Sequence, residues 1–300
     1  MNSTAREVSA RRSPAPRIPP WAAELVAGLS RDQPAVVTRE EITQRLHDLG
    51  SSRETDATIR ALGRLGWLIR LGRAGTWAFV PPGHDNVNDP YLAVRAWRAT
   101  EPRSRLHLAG ENAAWHLGYL DRSPHGKVRI WLPRGVRLPD GLRSHVRTVR
   151  VAWDADQVAD LGPTSRLLVT RRLDIVSWSS GLPTFGPEAL LVQLASRPSS
   201  FDSWADLVAH LRDVVDDVND LRLKTLLRGQ SMAAWQRAAY FLHAGGSPQR
   251  GIEFFRARPR GQIPKTHLGP PNDDQPSLYV ADYGLIDRLI APLQGLVGKA

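Results

Sequence analysis

The spacing of apolar positions changes from helical to alternating along residues 53–83. At about 100° per residue, one side of a helix over 53–65 collects Thr58, Ile59, Leu62 and Leu65. The opposite side collects Arg53, Ala57, Arg60 and Arg64. After this helix, apolar residues alternate around Trp67 and again around Trp77, with a glycine-containing turn at 72–75 between them. The pattern predicts a helix with one core face and one arginine face, followed by a β-hairpin.

Two further helices and a short strand are predicted upstream. Thr38 and Glu41 have the spacing of a capping box, and Gly50 is placed to end the same helix in the left-handed conformation. A helix with fourfold apolar spacing at 21–29 and a β-prone run at 34–37 precede it. The resulting order is helix, strand, helix, helix, hairpin, which is the layout of a winged helix-turn-helix domain.

The winged helix-turn-helix interpretation covers residues 18–84 and gives the arginines a role. In this fold the second helix of the pair enters the major groove, and the ribbon reaches the neighbouring backbone or minor groove. The exposed arginines of the helix and ribbon are therefore predicted DNA contacts: Arg53, Arg60, Arg64, Arg70 and Arg73. A solvated charged face and a protein-interaction module are the alternatives. The agreement of caps, helix order and charge placement favours DNA binding.

The charge of the whole chain favours a polyanionic partner without identifying it. Lysine and arginine total 40 against 30 acidic residues, a net charge of +10. Only four of the basic residues are lysines, which genome base composition can also produce, so the positions of the arginines carry more weight than their number. Residues 1–17 are polar, basic and proline-containing, and they are predicted to form a flexible arm.

Cysteine usage and hydropathy exclude several classes of protein. The chain has no cysteine, which excludes disulfides, thiolate metal sites and a cysteine nucleophile. No run approaches the roughly 18 apolar residues of a membrane helix. The arginine pair at 11–12 is not followed by the apolar segment of an export signal. We therefore expect a cytoplasmic protein that does not associate with a membrane.

A turn-rich connector at 81–90 is predicted to separate a second domain over 85–300. Helical patterns are followed by strand-like segments, at 127–133, 145–153 and 166–170. From Pro187 onwards, threefold and fourfold apolar spacing predicts mainly helices, with a short strand and a last helix at 277–300. Strands grouped in one region and helices in another predict an α+β fold that is helical towards the C-terminus.

Charge is unevenly distributed in this second domain. Residues 122–150 contain a single acid, Asp140, and many basic side chains. They form a possible second nucleic-acid surface that includes Arg129, Arg134, Arg137, Arg143 and Arg147. The same basic residues are explained equally well if every second side chain of the strands simply faces water. Residues 202–220 hold six aspartates and one arginine, which favours a solvated helix face over a docking site for a basic partner.

No catalytic constellation emerges from the sequence. Three histidines lack metal-binding spacing: His107, His116 and His125. A nuclease-like pair of Asp174 and Glu188 is weak, because no lysine follows the glutamate two residues on. The serine segment at 177–181 lacks a base and the strand-to-helix elbow of a nucleophile. We predict a non-enzymatic protein without cofactor or metal. The alternative is a nuclease-like, nucleic-acid-processing enzyme that uses residues 122–150.

Several segments resemble the AbiEi family of antitoxins, including its MenA branch. Besides the winged helix, they are "LAGENAAWHLGYL" at 108–120, "IWLP" at 130–133 and "GLPTFGPEALLVQLASRP" at 181–198. The resemblance extends from about residue 18 to the C-terminus. A winged helix alone is shared by many regulators, so the longer strings carry the resemblance.

The resemblance implies an antitoxin of a type IV toxin-antitoxin operon that also represses its own promoter. The N-terminal domain would bind double-stranded DNA at inverted repeats, with two copies pairing on the DNA. In that family the winged helix contacts DNA, which maps by position onto Arg53, Thr55, Arg60, Arg64, Arg70 and Arg73. The second domain would counteract a cognate nucleotidyltransferase-like toxin. Direct contact with that toxin stays open, since type IV antitoxins need not form a stable complex with their toxins.

Overall fold

The computed structural model describes residues 18–154, 156–162, 182–270 and 276–295. Several expectations lie outside the described residues: the arm at 1–17, the strand at 166–170, Asp174 and the serine segment at 177–181. The chain divides into two compact units between Pro102 and Arg103. The sequence placed this boundary between residues 84 and 85, before a helix that the structure assigns to the first unit.

The first unit has four α-helices and one three-stranded sheet among its described residues. The helices are α1 (Ala23–Asp32), α2 (Arg39–Asp48), α3 (Thr55–Arg64) and α4 (Leu92–Thr100). The strands are β1 (Val37–Thr38), β2 (Leu68–Arg70) and β3 (Thr76–Phe79). The sheet has the antiparallel order β1-β3-β2, in which Arg70 pairs with Trp77. The predicted order of helices and strands is therefore present.

Local capping explains where α2 begins and ends. The Thr38 hydroxyl accepts a hydrogen bond from the Glu41 amide at 3.2 Å. The Glu41 carboxylate pairs with Arg45 at 2.8 Å, so only half of the predicted capping box forms. Gly50 follows the helix with φ +61°, the left-handed conformation that favours glycine.

Strand β3 is buried on both faces, which alternation alone did not reveal. Phe79 faces the helical core, where its ring stacks on Trp67 with the centroids 6.1 Å apart. The alternate residues Thr76 and Ala78 are also fully buried. Helix α4 packs against this strand, which buries more of it than the sequence pattern indicated. The same contact brings α4 into the first unit.

The second unit is a mixed α+β structure. Its strands are β4 (His107–Leu108), β5 (Val128–Trp131), β6 (Val146–Val149), β7 (Thr266–Leu268), β8 (Leu278–Val280) and β9 (Leu285–Asp287). Its helices are α5 (Gly110–His116), α6 (Pro187–Ser196), α7 (Trp204–Ala209), α8 (Leu211–Asp217), α9 (Asp220–Leu227), α10 (Met232–Ala244), α11 (Pro248–Arg256) and α12 (Ile290–Leu293). The six strands form two sheets, of order β4-β5-β6 and β7-β9-β8, and β5 runs parallel to β6.

The mixture of strands and helices in this unit agrees with the α+β expectation, but several elements differ in detail. A three-stranded sheet follows the helices, and its strands β7 and β9 were not predicted. The helix expected from residue 108 begins at Gly110, after the short strand β4. The helical run at 204–218 is interrupted at His210, which separates α7 from α8. Helix α11 was not predicted from the sequence.

The core of the second unit is built around α6 and an aromatic cluster. Nine of the ten residues of α6 are buried, which is typical of a central helix. Trp131, Trp153 and Phe185 contact one another with ring centroids 5.4 to 6.2 Å apart. The Trp153 indole donates to the Leu226 carbonyl at 2.9 Å, so the cluster also satisfies its buried N–H.

The longest helix in the described part of the chain, α10, has 13 residues. No helix there is long and apolar enough to cross a lipid bilayer.

Candidate nucleic-acid interface

Helix α3 has one buried face and one open face. Thr58, Ile59 and Leu62 are 1%, 6% and 0% exposed, whereas Arg60 and Arg64 point to solvent. The Glu54 carboxylate caps the helix by accepting from the Ala57 amide at 3.2 Å. The helix is therefore anchored by its apolar face and its cap, without using Arg60 or Arg64.

These two arginines are available to a ligand. Arg60 Nη2 lies 3.7 Å from Glu54 Oε2, and the two side chains are 69% and 63% exposed. An exposed pair of this kind contributes at most about 1 kcal/mol, so a phosphate could replace the carboxylate. No ion pair within the described ranges includes Arg64. Two guanidinium groups one helical turn apart are thus presented on one open face.

Arg53 does not lie in this helical row. Helix α3 begins at Thr55, and Arg53 precedes it. Its guanidinium carbon lies 4.3 Å from the centre of the Trp21 ring, a cation–π contact. The sequence pattern could not show this, because the contact joins residues from separate elements.

The two arginines of the ribbon have different surroundings. Arg70 ends β2 and is exposed. Arg73 donates to the Thr100 hydroxyl and to the Glu101 carboxylate at the end of α4, which leaves its side chain 31% exposed. Arg73 therefore ties the hairpin to α4, whereas Arg70 stays accessible.

Polar contacts join α2 to the start of α3. Thr55, the first residue of α3, lies with its hydroxyl oxygen 3.1 Å from that of Thr43. Arg39 donates to both carboxylate oxygens of Asp56, at 2.8 and 3.3 Å, and this contact lowers the pKa of Asp56. No sequence pattern indicates the pair of Arg39 and Asp56, because the two residues are 17 apart and belong to no helical spacing.

Arg129 is a buried structural residue, contrary to its assignment to a second nucleic-acid surface. It is 8% exposed, because its side chain packs against Gly110 and lies between the carboxylates of Glu111 and Asp202. Its guanidinium contacts the carboxylates of Glu111 and Asp202 and donates to the Ser200 carbonyl at 2.6 Å. These contacts connect β5 to α5 and to the segment that follows α6.

The ion-paired network of Arg129, Glu111 and Asp202 is closely packed, and Arg129 and Glu111 are buried. Burial is the largest influence on Glu111 and raises its pKa, while the Asp202 amide and Arg129 act in the opposite direction. Gly110 has φ +54°, and a Cβ added there would lie 2.7 Å from Arg129 Cδ. A cleft of about 330 Å³ borders the network, with Lys127 and Arg147 also lining it. Close packing and ion pairing thus hold Arg129 inside the protein.

The other arginines of the basic region are exposed, and two of them lie near an acid. Arg143 is 3.0 Å from Asp140, and Arg147 is 3.8 Å from Asp202. Arg134 and Arg137 are exposed in the loop after β5. Any second nucleic-acid surface would therefore consist of the exposed arginines without Arg129.

Several aspartates of residues 202–220 also have partners in the same unit. Asp217 accepts from the Tyr119 hydroxyl at 2.7 Å, and Asp220 pairs with Arg250 at 2.6 Å. His210 lies between Asp213 and Asp121, at 3.3 and 3.0 Å. These contacts favour a structural role for much of this acidic stretch.

The enzymatic candidates that lie in the described residues have structural surroundings. Glu188 is 2% exposed and accepts from the Asn219 amide at 2.9 Å. His116 is fully buried beside the Trp115 ring. Across the described ranges, no three histidine or carboxylate side chains are grouped to hold a metal ion.

Comparison with known proteins shows the family of the chain. No curated protein matches it. Residues 107–244 match the AbiEi antitoxin C-terminal domain. The crystal structure of the RV2827C protein from Mycobacterium tuberculosis is similar over 96% of this chain and 99% of that one, with 51% sequence identity and a TM-score of 0.80. The predicted resemblance is therefore confirmed, and this protein belongs to the AbiEi family of antitoxins.

Proposed function

We propose that this protein is the antitoxin of a type IV toxin-antitoxin operon and represses that operon by binding DNA through its first unit. The observation that carries the DNA-binding part is the pair Arg60 and Arg64 on the open face of α3. The opposite face of the same helix is buried, and neither arginine is held by a strong ion pair within the described residues. A helix anchored in this way can present guanidinium groups to the major groove.

The order of elements supports a winged helix-turn-helix domain. Helix α3 follows α2 after a short turn, and the hairpin β2–β3 comes directly after α3. In such a domain α3 is the recognition helix and the hairpin is the wing, which places Arg70 near the DNA backbone or the minor groove. Thr55, at the start of α3, lies where N-terminal residues of a recognition helix meet base edges or phosphates.

The antitoxin role rests on the family assignment. The domain match lies entirely in the second unit, which would therefore counteract the toxin. We propose that the toxin is a nucleotidyltransferase-like protein encoded alongside, that the operator contains inverted repeats, and that both proteins act in the cytoplasm. Two copies would then bind half-sites roughly one helical turn apart.

An electrophoretic mobility shift tests the DNA-binding part. Purified protein would be titrated onto DNA from upstream of its own gene, with unrelated DNA as competitor. We expect specific retention, and we expect Arg60→Ala/Arg64→Ala to abolish it at physiological salt. At low salt, where residual binding is measurable, the slope of log K against log salt concentration should be shallower by about two, one for each lost phosphate contact.

A matched control separates position from net charge. The double variant Arg256→Ala/Arg260→Ala also removes two exposed arginines, but from the second unit. It should bind the promoter like the original protein. Equal losses in the two double variants would show that total charge and not α3 determines binding. Wild-type binding by Arg60→Ala/Arg64→Ala would reject α3 as the recognition helix.

A further inference from the structure

A half-buried tryptophan lies beneath an exposed arginine at the start of α3. The guanidinium carbon of Arg53 is 4.3 Å from the centre of the Trp21 ring. Trp21 itself packs partly against the core of the first unit. In the part of the chain that the structure describes, no ion pair includes Arg53. The charged group of Arg53 is therefore held by a neutral ring.

Two other arginines of the first unit are held by carboxylates instead. Arg39 donates to both carboxylate oxygens of Asp56, and Arg73 pairs with Glu101. A carboxylate neutralises a guanidinium and occupies its N–H groups. An aromatic ring attracts the cation through its quadrupole and does not neutralise it. Arg53 thus combines a fixed position with a charge that is still open to an anion.

The backbone on both sides of this contact is ordered by local hydrogen bonds. Trp21 is the middle residue of a 3₁₀ turn, in which the Ala22 amide donates to the Pro19 carbonyl at 2.9 Å. In the turn between α2 and α3, the Arg53 amide donates to the Ser51 hydroxyl at 3.3 Å. Both side chains therefore project from a defined backbone.

We propose that Trp21 is a positioning residue that holds Arg53 for a contact with a DNA phosphate. The inference rests on the proposed function, because it requires α3 to lie in the major groove. Residues at the N-terminal end of a recognition helix lie close to the DNA, and arginines bind phosphates as well as bases. The two acids at this end of α3 already have partners, since Glu54 caps the helix and Asp56 binds Arg39. The charge of Arg53 is thus left for a phosphate.

A phosphate contact positioned in this way should add affinity without sequence preference. Phosphate oxygens are the same at every base pair, so loss of the contact weakens binding to all DNA. Without the ring, the long arginine side chain loses more conformational freedom on binding. Trp21 should therefore affect DNA binding only through Arg53, which separates it from a residue that only stabilises the core.

Fluorescence anisotropy tests the inference with labelled promoter DNA and labelled unrelated DNA at several salt concentrations. Arg53→Ala should make the slope of log K against log salt concentration shallower by about one. Trp21→Leu should weaken binding to both DNAs by the same factor, roughly two- to fivefold. In the Arg53→Ala background, Trp21→Leu should have no further effect, because the arginine is absent. Trp21→Phe keeps an aromatic face and should bind nearly as well as the original protein.

A purely structural role for Trp21 gives a different result. A residue that only stabilises the core would weaken binding equally with and without Arg53. An undiminished effect of Trp21→Leu in the Arg53→Ala background would therefore overturn the inference, and so would an unchanged salt slope in Arg53→Ala. Circular dichroism shows whether each variant is folded. Trp21→Met, a larger and flexible apolar substitute, takes the place of Trp21→Leu if that variant does not fold.

This inference and the proposed function can fail separately. If promoter binding depends on Arg60 and Arg64 but not on Arg53, only the role of Trp21 is rejected. If the original protein binds neither DNA, both proposals are rejected.

Discussion

The guanidinium of Arg129 and the carboxylate of Glu111 form a buried ion pair between β5 and α5, and Asp202 closes the other side of the arginine. The side chains of Arg129 and Glu111 are 10% and 4% exposed. A charge buried in this way depends on its partner, because water cannot replace the lost contact. The most basic stretch of the chain therefore contributes one of its arginines to the core.

Replacing Arg129 with alanine should strongly destabilise the second unit. The change leaves the Glu111 carboxylate buried without its cation, at a cost of about 3–5 kcal/mol in the free energy of unfolding. Arg147→Ala removes an exposed arginine 3.8 Å from the same Asp202 and should cost at most about 1 kcal/mol. Urea denaturation of the two variants measures the difference. Similar small losses would contradict a structural role for Arg129.

Gly110→Ala should also destabilise the protein, because its backbone is left-handed and Arg129 lies where the new methyl group would be placed. We expect a loss of about 1–3 kcal/mol from the backbone conformation alone. Gly72→Ala is the matched control, since nothing lies within 4 Å of a Cβ added there. Its stability should change by less than about 1 kcal/mol. Thermal and urea unfolding would show whether only position 110 requires glycine.

The two ribbon arginines should have separable effects. Arg70→Ala should weaken promoter binding and lower the salt slope by about one, if the hairpin contacts phosphate. Its stability should stay within about 0.5 kcal/mol of the original. Arg73→Ala removes the contacts to Thr100 and Glu101 and should lower stability by up to about 1 kcal/mol. Binding isotherms at several salt concentrations, together with urea denaturation, distinguish the two roles. If Arg73→Ala weakened promoter binding and Arg70→Ala lowered stability, the DNA-binding role would belong to Arg73 and the structural role to Arg70.

Alkaline pH should destabilise the second unit through two tyrosines. Burial, followed by the nearby Asp287, raises the pKa of Tyr240, and burial raises the pKa of Tyr283 to about 12. In the unfolded chain a tyrosine loses its proton near pH 10, so above that pH the folded state binds more protons than the unfolded state. Stability from this source is complete below about pH 10 and is lost as the pH rises towards 12.

Ultraviolet absorbance of tyrosinate measures this effect directly. The folded protein and Tyr240→Phe/Tyr283→Phe should give the same absorbance change up to about pH 11, because the two replaced residues are still neutral there. The free energy of unfolding of the double variant should fall less steeply above about pH 10. A smaller tyrosinate absorbance in the double variant than in the original protein below about pH 11 would show that these two tyrosines ionise like exposed ones.

Local sequence signals determined the order of the elements from α1 to the hairpin and both ends of α2. Thr38 and Gly50 bound α2 because a side-chain cap and a left-handed glycine act within a few residues. The apolar spacing of Thr58, Ile59 and Leu62 also determined which face of α3 is buried. Arg60 and Arg64 follow from the same periodicity, so the candidate interface on α3 was predictable. The family was predictable as well, from the strings at 108–120 and 181–198.

Only the tertiary structure decided what the other arginines contact. Arg53 lies over Trp21, Arg73 binds Glu101, and Arg129 is enclosed by Glu111 and Asp202. The partner of Arg73 is 28 residues away, and the Asp202 carboxylate is 73 residues from Arg129. Periodicity reports which side of an element is apolar, but it carries no information about which distant carboxylate or ring folds against a given guanidinium. The sequence by itself therefore determined helices, caps and one exposed arginine pair, while long-range packing decided which arginines remained available to a ligand.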